Sequence, residues 1–417
     1  MLSSEWGIRN LLPDRMRLHS FYISLVAVLG LLGGGSLSSV HAQIEELPRP
    51  DSAHAASFGV SVALGDSIAA VGVSGEEVCG ENAGAVYVYE RVPRPQFDAW
   101  RVETRLTPQS CRPNAFFGER IALSGSRLLV SASSEHFADE SSNAAYVFEQ
   151  TAAGTWQQTA RFTAAPTREE GLFAADIALD GNRAVVTAAG NPEGDYGGAA
   201  YVYDYDPATQ TWTQSVRLTS GRDPEVGVFG QSVALHGDRI AVAASTYFER
   251  SPGAVYVYQR DGTRGTWQNT ALLRGIDAFL ITLDLYESTL IVGEDRAGEN
   301  GSGRATIYTE TRERIWEKTA TLHPSIPYES GGFGATVSVE DGWALVTGYD
   351  EQLEKEINID RVVYVFRRED ERTWPQHTIL DVGQVDFAAA LDQHGSMALV
   401  SSVPADAPGA VYVVRLR

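Results

Sequence analysis

Acidic side chains cluster in seven short segments of this 417-residue chain, and these segments offer its most evident chemistry. They hold 18 of the 54 Asp and Glu residues but only three basic residues, Arg250, Arg296 and Lys355. Grouped carboxylates attract a basic partner or supply oxygen ligands to a divalent cation. The same charge also serves as a solvated rim that keeps a protein soluble. The segments are 74–83, 132–143, 189–197, 245–252, 294–302, 348–360 and 402–408.

Ten carboxylates of these segments are the candidate binding residues. They are Glu76, Glu77, Asp139, Glu140, Glu294, Asp295, Glu299, Asp350, Glu351 and Glu354. Their spacing is irregular, whereas a calcium loop places its oxygen ligands at regular offsets. We therefore predict no metal ligands and no cofactor, although calcium remains an alternative for the acidic segments.

Motifs for catalysis are lacking in the sequence. The eight His residues form no HExxH pattern, and neither a G-x-S-x-G elbow nor a phosphate-binding glycine loop is present. We therefore predict that the chain is not an enzyme.

The candidate residues must be positioned by a repeated unit that runs through the chain. Each copy begins at a Phe, and the copies begin near 58, 117, 173, 229, 279, 333 and 387. Each copy is predicted to form four strands. The first is an alternating segment such as "FGVSVAL", a tight turn leads to the second, and the third is a phrase such as "GAVYVY" (84–89 and 253–258). The acidic segments lie between the second and third strands.

The fourth strand of six copies begins at a Trp, and an apolar residue follows six positions later in every copy. An even offset places both side chains on one face of a strand. Packing between neighbouring units is the favoured role for these Trp side chains, and stacking on sugars is the alternative. The residues are Trp100, Trp156, Trp212, Trp267, Trp316 and Trp374.

Seven four-stranded units predict an all-β fold, a seven-bladed β-propeller. The last copy lacks a fourth strand, and the segment 43–48 has the right sequence to supply it. Leu47 precedes Phe58 by the same eleven residues that separate Leu106 from Phe117. We therefore expect the N-terminal strand to complete blade seven as its outer strand and to close the ring.

The repeat resembles the FG-GAP repeat, the blade unit of the integrin α-subunit propeller, in its short-loop bacterial form. The segments "FGVSVALGDSIAAVGV" and "GAVYVYERV" carry the likeness, which covers 43–417. The resemblance implies adhesion or protein recognition. The family's calcium loop, Asp-x-Asp/Asn-x-Asp-Gly, is replaced here by short turns such as "LGDS" and "LHGD", so its calcium site is not carried over.

In such blades the 2–3 loops and the 4–1 connections emerge on one face, which we call the loop face. The opposite face carries the 1–2 and 3–4 turns, and we call it the turn face. Cys79 and Cys111 are the two cysteines, and they lie in the first 2–3 loop and the first 4–1 connection. In an exported chain we expect them to form a disulfide.

The first 42 residues read as a secretory signal: a basic stretch (15–20), an apolar stretch (21–37) and a cleavage site after Ala42. Translation from Met1 or from Met16 is compatible with this pattern. We therefore expect a secreted, periplasmic or cell-surface protein whose mature chain, 43–417, does not insert into a membrane. A net charge of −21 disfavours nucleic acid as a partner.

These features together predict a non-catalytic, monomeric binding propeller that recognises a protein through its acidic loop face. A lectin-type propeller that binds glycans is the alternative, and a propeller-fold hydrolase or lyase is the third possibility.

Overall fold

A computed structural model describes the protein at residues 43–53, 57–94, 98–133, 143–163, 172–190, 197–221, 227–245, 253–298, 300–325, 331–349, 361–382, 387–404 and 407–416. Across these residues the regular elements are 28 β-strands, β1–β28, and none of them is an α-helix. The predicted export signal lies outside the described residues. Within them, no helix is present that has the length and apolar character to span a membrane.

The strands form seven sheets, which we number as blades in chain order. Blade 1 contains β2 (Phe58–Leu64), β3 (Ile68–Val73), β4 (Ala85–Val92) and β5 (Ala99–Leu106). Blade 2 contains β6 (Phe117–Ser124), β7 (Arg127–Ala132), β8 (Ala144–Gln150) and β9 (Trp156–Phe162). Blade 3 contains β10 (Leu172–Asp180), β11 (Arg183–Ala189), β12 (Ala199–Asp206) and β13 (Thr211–Leu218). Blade 4 contains β14 (Val228–His236), β15 (Arg239–Ser245), β16 (Gly253–Arg260) and β17 (Trp267–Ile276).

The remaining three blades complete the ring. Blade 5 contains β18 (Ile281–Tyr286), β19 (Thr289–Glu294), β20 (Arg304–Glu310) and β21 (Trp316–Leu322). Blade 6 contains β22 (Val337–Glu340), β23 (Trp343–Tyr349), β24 (Arg361–Arg367) and β25 (Gln376–Leu380). Blade 7 contains β26 (Phe387–His394), β27 (Met397–Ser402), β28 (Ala410–Arg415) and β1 (Gln43–Glu46).

The seven-bladed propeller predicted from the sequence is confirmed. Each blade is an antiparallel sheet with its strands in chain order, and β1 is the fourth strand of blade 7, next to β28. Gln43 pairs with Arg415 and Glu46 with Tyr412, and the Leu47 N–H donates to the Val411 carbonyl at 2.8 Å. The first strands β2 and β26 contact each other, so blades 1 and 7 meet and the ring is closed.

Hydrophobic clusters between neighbouring blades hold the ring together. One cluster joins blade 7 to blade 1 and contains Leu47, Phe58, Trp100 and Leu399. Six further clusters join the remaining pairs of neighbours in the same way. Burial of one such large side chain stabilises the folded state by about 1.5–3 kcal/mol, so each interface between blades contributes substantially.

The glycine that opens the repeated third-strand phrase allows a close approach between blades. A Cβ atom on Gly84 would overlap the carbonyl oxygen of Phe117 in the next blade, and Gly84 has φ +84°. Gly198 and Gly409 meet the carbonyls of Phe229 and Phe58 in the same way. The "G" of the phrase and the "F" that starts the next copy are therefore two sides of one contact.

The fifth copy of the repeat differs from the others at its start. Its first strand begins at Ile281, two residues after the predicted start at Phe279. The Phe279 N–H donates to the Asp295 carboxylate at 3.1 Å, and the Arg296 guanidinium lies 4.6 Å from the centre of the Phe279 ring. Phe279 is thus bound to the adjacent 2–3 loop before the strand begins.

Candidate functional site

The loop face of blade 1 is fixed by a disulfide between Cys79 and Cys111, whose Cα atoms lie 6.1 Å apart. Cys79 lies between β3 and β4, and Cys111 lies between β5 and β6. The disulfide predicted from the sequence is confirmed, and it links a 2–3 loop to a 4–1 connection.

Backbone hydrogen bonds hold the same two segments together. The Asn114 N–H donates to the Glu81 carbonyl at 2.7 Å, and the Phe116 N–H donates to the Asn82 carbonyl at 3.0 Å. Glu77 and Glu81 are exposed here. We call residues 77–82 and 111–116 the disulfide-linked corner, because it presents carboxylates from a backbone that is fixed at several points.

Glu76, which precedes this corner, points into the protein. It is only 4% exposed, and its Oε1 atom accepts a hydrogen bond from the Tyr87 hydroxyl at 3.0 Å. The Arg105 guanidinium lies 3.5 Å from the same oxygen. Its carboxylate is therefore occupied by neighbours within the protein, whereas that of Glu77 faces solvent.

Glu294 is also buried, at 1% exposure, and binds protein partners with both oxygens. The Arg304 Nε atom donates to Oε1 at 3.0 Å, the Arg304 Nη2 atom donates to Oε2 at 2.6 Å, and the Thr306 hydroxyl donates to Oε1 at 2.7 Å. The bond to Glu294 raises the pKa of Arg304. A buried charge satisfied in this way anchors the start of the 2–3 loop.

Asp295, the next residue, is half-buried. Burial raises the pKa of its carboxyl, and the hydrogen bond from the Phe279 N–H opposes that shift. Of the described acidic candidates, Glu77 is thus the one that is exposed. Asp139, Glu140, Glu299, Asp350, Glu351 and Glu354 lie outside the described residues, and their role on the loop face stays a prediction.

The six Trp side chains contact the clusters between blades. The expectation that each Trp shares a face with the apolar residue six positions later is wrong, because a β-bulge in the fourth strand places Trp100 in the cluster between blades 7 and 1 and Leu106 in the cluster between blades 1 and 2. Trp100, Trp316 and Trp374 are 6%, 7% and 7% exposed, which leaves little ring surface for a sugar. Trp156, Trp212 and Trp267 are half-buried against the equivalent clusters. Arg183 lies 5.1 Å from the centre of the Trp267 ring and covers it. These positions fit the packing role better than sugar stacking.

Three aspartates on the innermost strands were not singled out from the sequence. Asp176, Asp284 and Asp392 lie on the first strands of blades 3, 5 and 7. Each accepts a backbone N–H from the first strand of the next blade: Asp176 from Val233 at 2.9 Å, Asp284 from Val339 at 2.7 Å, and Asp392 from Leu64 at 2.7 Å. They lie deep in the protein and keep partial contact with solvent.

Burial is the main cause that raises the pKa of all three carboxyl groups. For Asp392 the pKa rises to about 8, and the negative charges of Asp284 and Glu340 contribute to this value. Asp at these positions breaks the apolar alternation of a first strand, and that break was the available sequence signal.

A pocket of about 430 Å³ opens on the turn face, and we call it the turn-face pocket. It spans blades 5, 6, 7 and 1. Its lining residues are Asp66, Arg91, Tyr286, Glu340, Asp341, His394, Gly395, Ser396, Met397 and Arg415.

His394 lies in the middle of this pocket, between carboxylates from two other blades. Its Nε2 atom is 3.1 Å from Asp66 of blade 1, and its Nδ1 atom is 3.4 Å from Glu340 of blade 6. Burial raises the pKa of Glu340, and the adjacent His394 opposes the shift. The pocket therefore combines titratable groups that are more than 300 residues apart along the chain.

The FG-GAP repeat family matches the chain over residues 42–89, 100–148 and 156–203, which overlap strands β1 to β12. Four further blades of the same design follow in the structure. The chain is an FG-GAP repeat propeller. No curated protein matches its sequence.

Solved structures resemble this FG-GAP propeller in fold. A protein provisionally described as a 6-phosphogluconolactonase, from Bacteroides uniformis, has a TM-score of 0.51 at 12% identity, covering 77% of this chain and 85% of that one. A Lactobacillus plantarum protein gives a TM-score of 0.49 at 12% identity, covering 77% and 84%. A hypothetical selenium-binding protein from Sulfolobus tokodaii gives 0.49 at 9% identity, covering 76% of each chain. At 12% identity the likeness to the Bacteroides uniformis protein shows the fold alone.

Metal ligands were not expected in the turns of this FG-GAP propeller. Within the described part of the chain, no group of three or more His, Cys, Asp or Glu side chains is arranged to hold an ion. Three of the seven 2–3 loops contain candidate carboxylates outside that part, so the prediction on cofactors stays a prediction.

Proposed function

We propose that this FG-GAP propeller is an exported, non-catalytic binding protein that recognises a protein partner through its loop face. The disulfide-linked corner carries the proposal, because a covalent bond fixes a 2–3 loop to a 4–1 connection at the surface where the repeats differ most. Preorganised loops lose less conformational entropy on binding.

Charge favours a basic surface on the partner. Glu77 and Glu81 are exposed on the corner, and the other 2–3 loops are rich in acidic residues. Opposite charges at the rim of an interface accelerate association and make it sensitive to salt.

Export is proposed from two features together. The leader-like segment 1–42 has the pattern of a secretory signal. The disulfide requires an oxidising compartment to persist.

The test is a quantitative capture experiment with the full chain. Wild type, a loop-face variant with Glu77→Lys and Glu81→Lys, and a turn-face control with Glu313→Lys are each incubated with a surface extract at low and at high salt. A genuine partner is retained by wild type and by the control, and is released by the loop-face variant and by high salt.

Two results would contradict the proposal. One is that every retained protein binds all three versions equally. The other is selective binding of wild type to a glycan array, with or without calcium, which would favour the lectin alternative.

A further inference from the structure

The turn-face pocket exists because a contact between blades is missing on one arc of the ring. In blades 2 and 3 an arginine opens the second strand and reaches the 1–2 turn of the next blade. Arg127 Nη1 donates to the Gly181 carbonyl at 3.1 Å, and Arg183 Nη1 donates to the Gly237 carbonyl at 2.7 Å. These guanidinium groups close the turn face between their blades.

Blade 7 has Met397 at the equivalent position. Met397 pairs with Arg415 in the sheet as Arg127 pairs with Glu149. Blades 5 and 6 have Thr289 and Trp343 there, and neither side chain carries a charge. The pocket therefore lies on the arc from blade 5 to blade 1, where no arginine of this kind closes the turn face.

The two ends of the pocket differ in charge. At the end formed by blades 5 and 6, Glu340 and the exposed Asp341 lie beside the ring of Tyr286. At the end formed by blades 7 and 1, Arg91 and Arg415 both bind one carboxylate, that of Asp98, with the Arg415 bond at 2.7 Å. Arg91 also donates Nη1 to the Asp66 carbonyl at 3.0 Å, whereas the bond of Arg415 to Asp98 uses Nη2, so the other nitrogens of Arg415 are the donors offered to a ligand at this end.

His394 lies between these two ends and bridges Asp66 and Glu340. It lies where the two charged regions meet. A ligand that lies across it reaches carboxylates in one direction and guanidinium groups in the other.

We propose that the turn-face pocket binds a small zwitterion that carries one ammonium or guanidinium group and one carboxylate. The cationic group binds Glu340 and Asp341 next to the Tyr286 ring, where a cation is also attracted by the aromatic face. The carboxylate binds Arg415, which Asp98 positions next to Arg91. This site lies on the opposite face from the proposed protein-binding surface and does not depend on it.

Isothermal titration calorimetry of the full chain with ω-amino acids tests the proposal. The series runs from glycine through β-alanine and γ-aminobutyrate to δ-aminovalerate and ε-aminocaproate, so chain length measures the distance between the two ends. Pentylamine and valerate each lack one of the charges of δ-aminovalerate. We expect one length to bind best and both single-charge analogues to bind at least ~10-fold more weakly.

The matched variants are Asp341→Asn and Glu313→Gln. Asp341 has φ 47°, a conformation that Asn adopts readily, so this variant keeps the turn while it removes one charge. Glu313 is an exposed carboxylate in the 3–4 turn of blade 5, outside the pocket lining. We expect Asp341→Asn to raise the Kd of the best ligand several-fold and Glu313→Gln to leave it unchanged.

Three results would overturn the proposal. The first is that no member of the series saturates the protein at about 10 mM. The second is that pentylamine binds as tightly as δ-aminovalerate, the amino acid of the same length. The third is that Asp341→Asn leaves the Kd of the best ligand unchanged.

Discussion

The carboxylate of Asp392 accepts the backbone N–H of Leu64 at 2.7 Å, although the two residues are 328 positions apart. This bond joins the innermost strand of blade 7 to that of blade 1, at the place where the ring closes. Equivalent bonds from Asp176 and Asp284 join blades 3 to 4 and 5 to 6. From blade 3 round to blade 1, a carboxyl oxygen thus accepts a hydrogen bond from a strand N–H at every second interface between blades.

Asp392→Asn is expected to flatten the dependence of stability on pH. The folded pKa of about 8 lies above the ordinary value of 3.8, so the folded state holds a proton that the unfolded state has lost over this range. The contribution of this carboxyl to the free energy of unfolding is therefore fully present below about pH 4 and is lost as the pH rises towards 8. Asn keeps the acceptor oxygen for Leu64 but does not titrate.

The measurement is urea unfolding at pH 5 and pH 8. Because Asp392 keeps partial contact with solvent, we expect the variant to gain roughly 1–3 kcal/mol relative to wild type between these two pH values. Exposed Glu313→Gln serves as the control. Parallel pH profiles of wild type and Asp392→Asn would show that the carboxyl does not carry the effect.

Gly84→Ala is expected to destabilise the fold by about 2–4 kcal/mol. The new Cβ would overlap the Phe117 carbonyl oxygen, and the φ of +84° is strained for any residue with a side chain. Gly262→Ala is the matched control, since open space surrounds that position, and its effect should stay within about 0.5 kcal/mol. Differential scanning calorimetry compares the two, and equal melting temperatures would contradict the role assigned to the repeated glycine.

Glu294→Gln is expected to cost about 2–4 kcal/mol of unfolding free energy. The substitution keeps the volume of the side chain but removes the charge that binds Arg304 and Thr306 inside the protein. Glu77→Gln changes the same residue type at an exposed position, so its effect on chemical unfolding should be near zero. Similar losses in both variants would mean that Glu294 is no structural anchor.

Replacement of Cys79 and Cys111 by Ser is expected to lower the unfolding free energy by about 3 kcal/mol, because the bond closes a loop with a sequence separation of 32. Amide hydrogen exchange at Asn114 and Phe116 should also accelerate, since their N–H groups bond to the linked segment. The same exchange measurement in wild type under a thiol reductant is the control. Unchanged exchange in both would show that the backbone hydrogen bonds alone fix the corner.

Much of the fold was predictable from local patterns. The alternation in "FGVSVAL" and the phrase "GAVYVY" specify strands. The fixed offset from Trp100 to Leu106 marks the fourth strand, but a β-bulge between the two residues, which the sequence did not reveal, turns their side chains to opposite faces. The outer position of β1 followed from the spacing between Leu47 and Phe58. These features repeat along the chain, so several copies support each inference.

The direction in which the candidate carboxylates point was not predictable in the same way. Glu76 and Glu77 are adjacent in sequence, yet one binds Tyr87 inside the protein and the other is exposed. Glu294 ends β19, and the strand register turns it towards Arg304. A one-residue change of register reverses such an orientation, and composition holds no information about it.

The sequence by itself determined the propeller, its closure by the N-terminal strand and the cysteine pair, because each of these depends on periodicity or on spacing along the chain. The tertiary structure alone decided which charged groups meet. Asp66, Glu340 and His394 share no motif, and Arg91 and Arg415 lie in β4 and β28, far apart along the chain. They come together because closure of the ring places blades 6, 7 and 1 side by side, and the Coulomb interaction depends on distance through space.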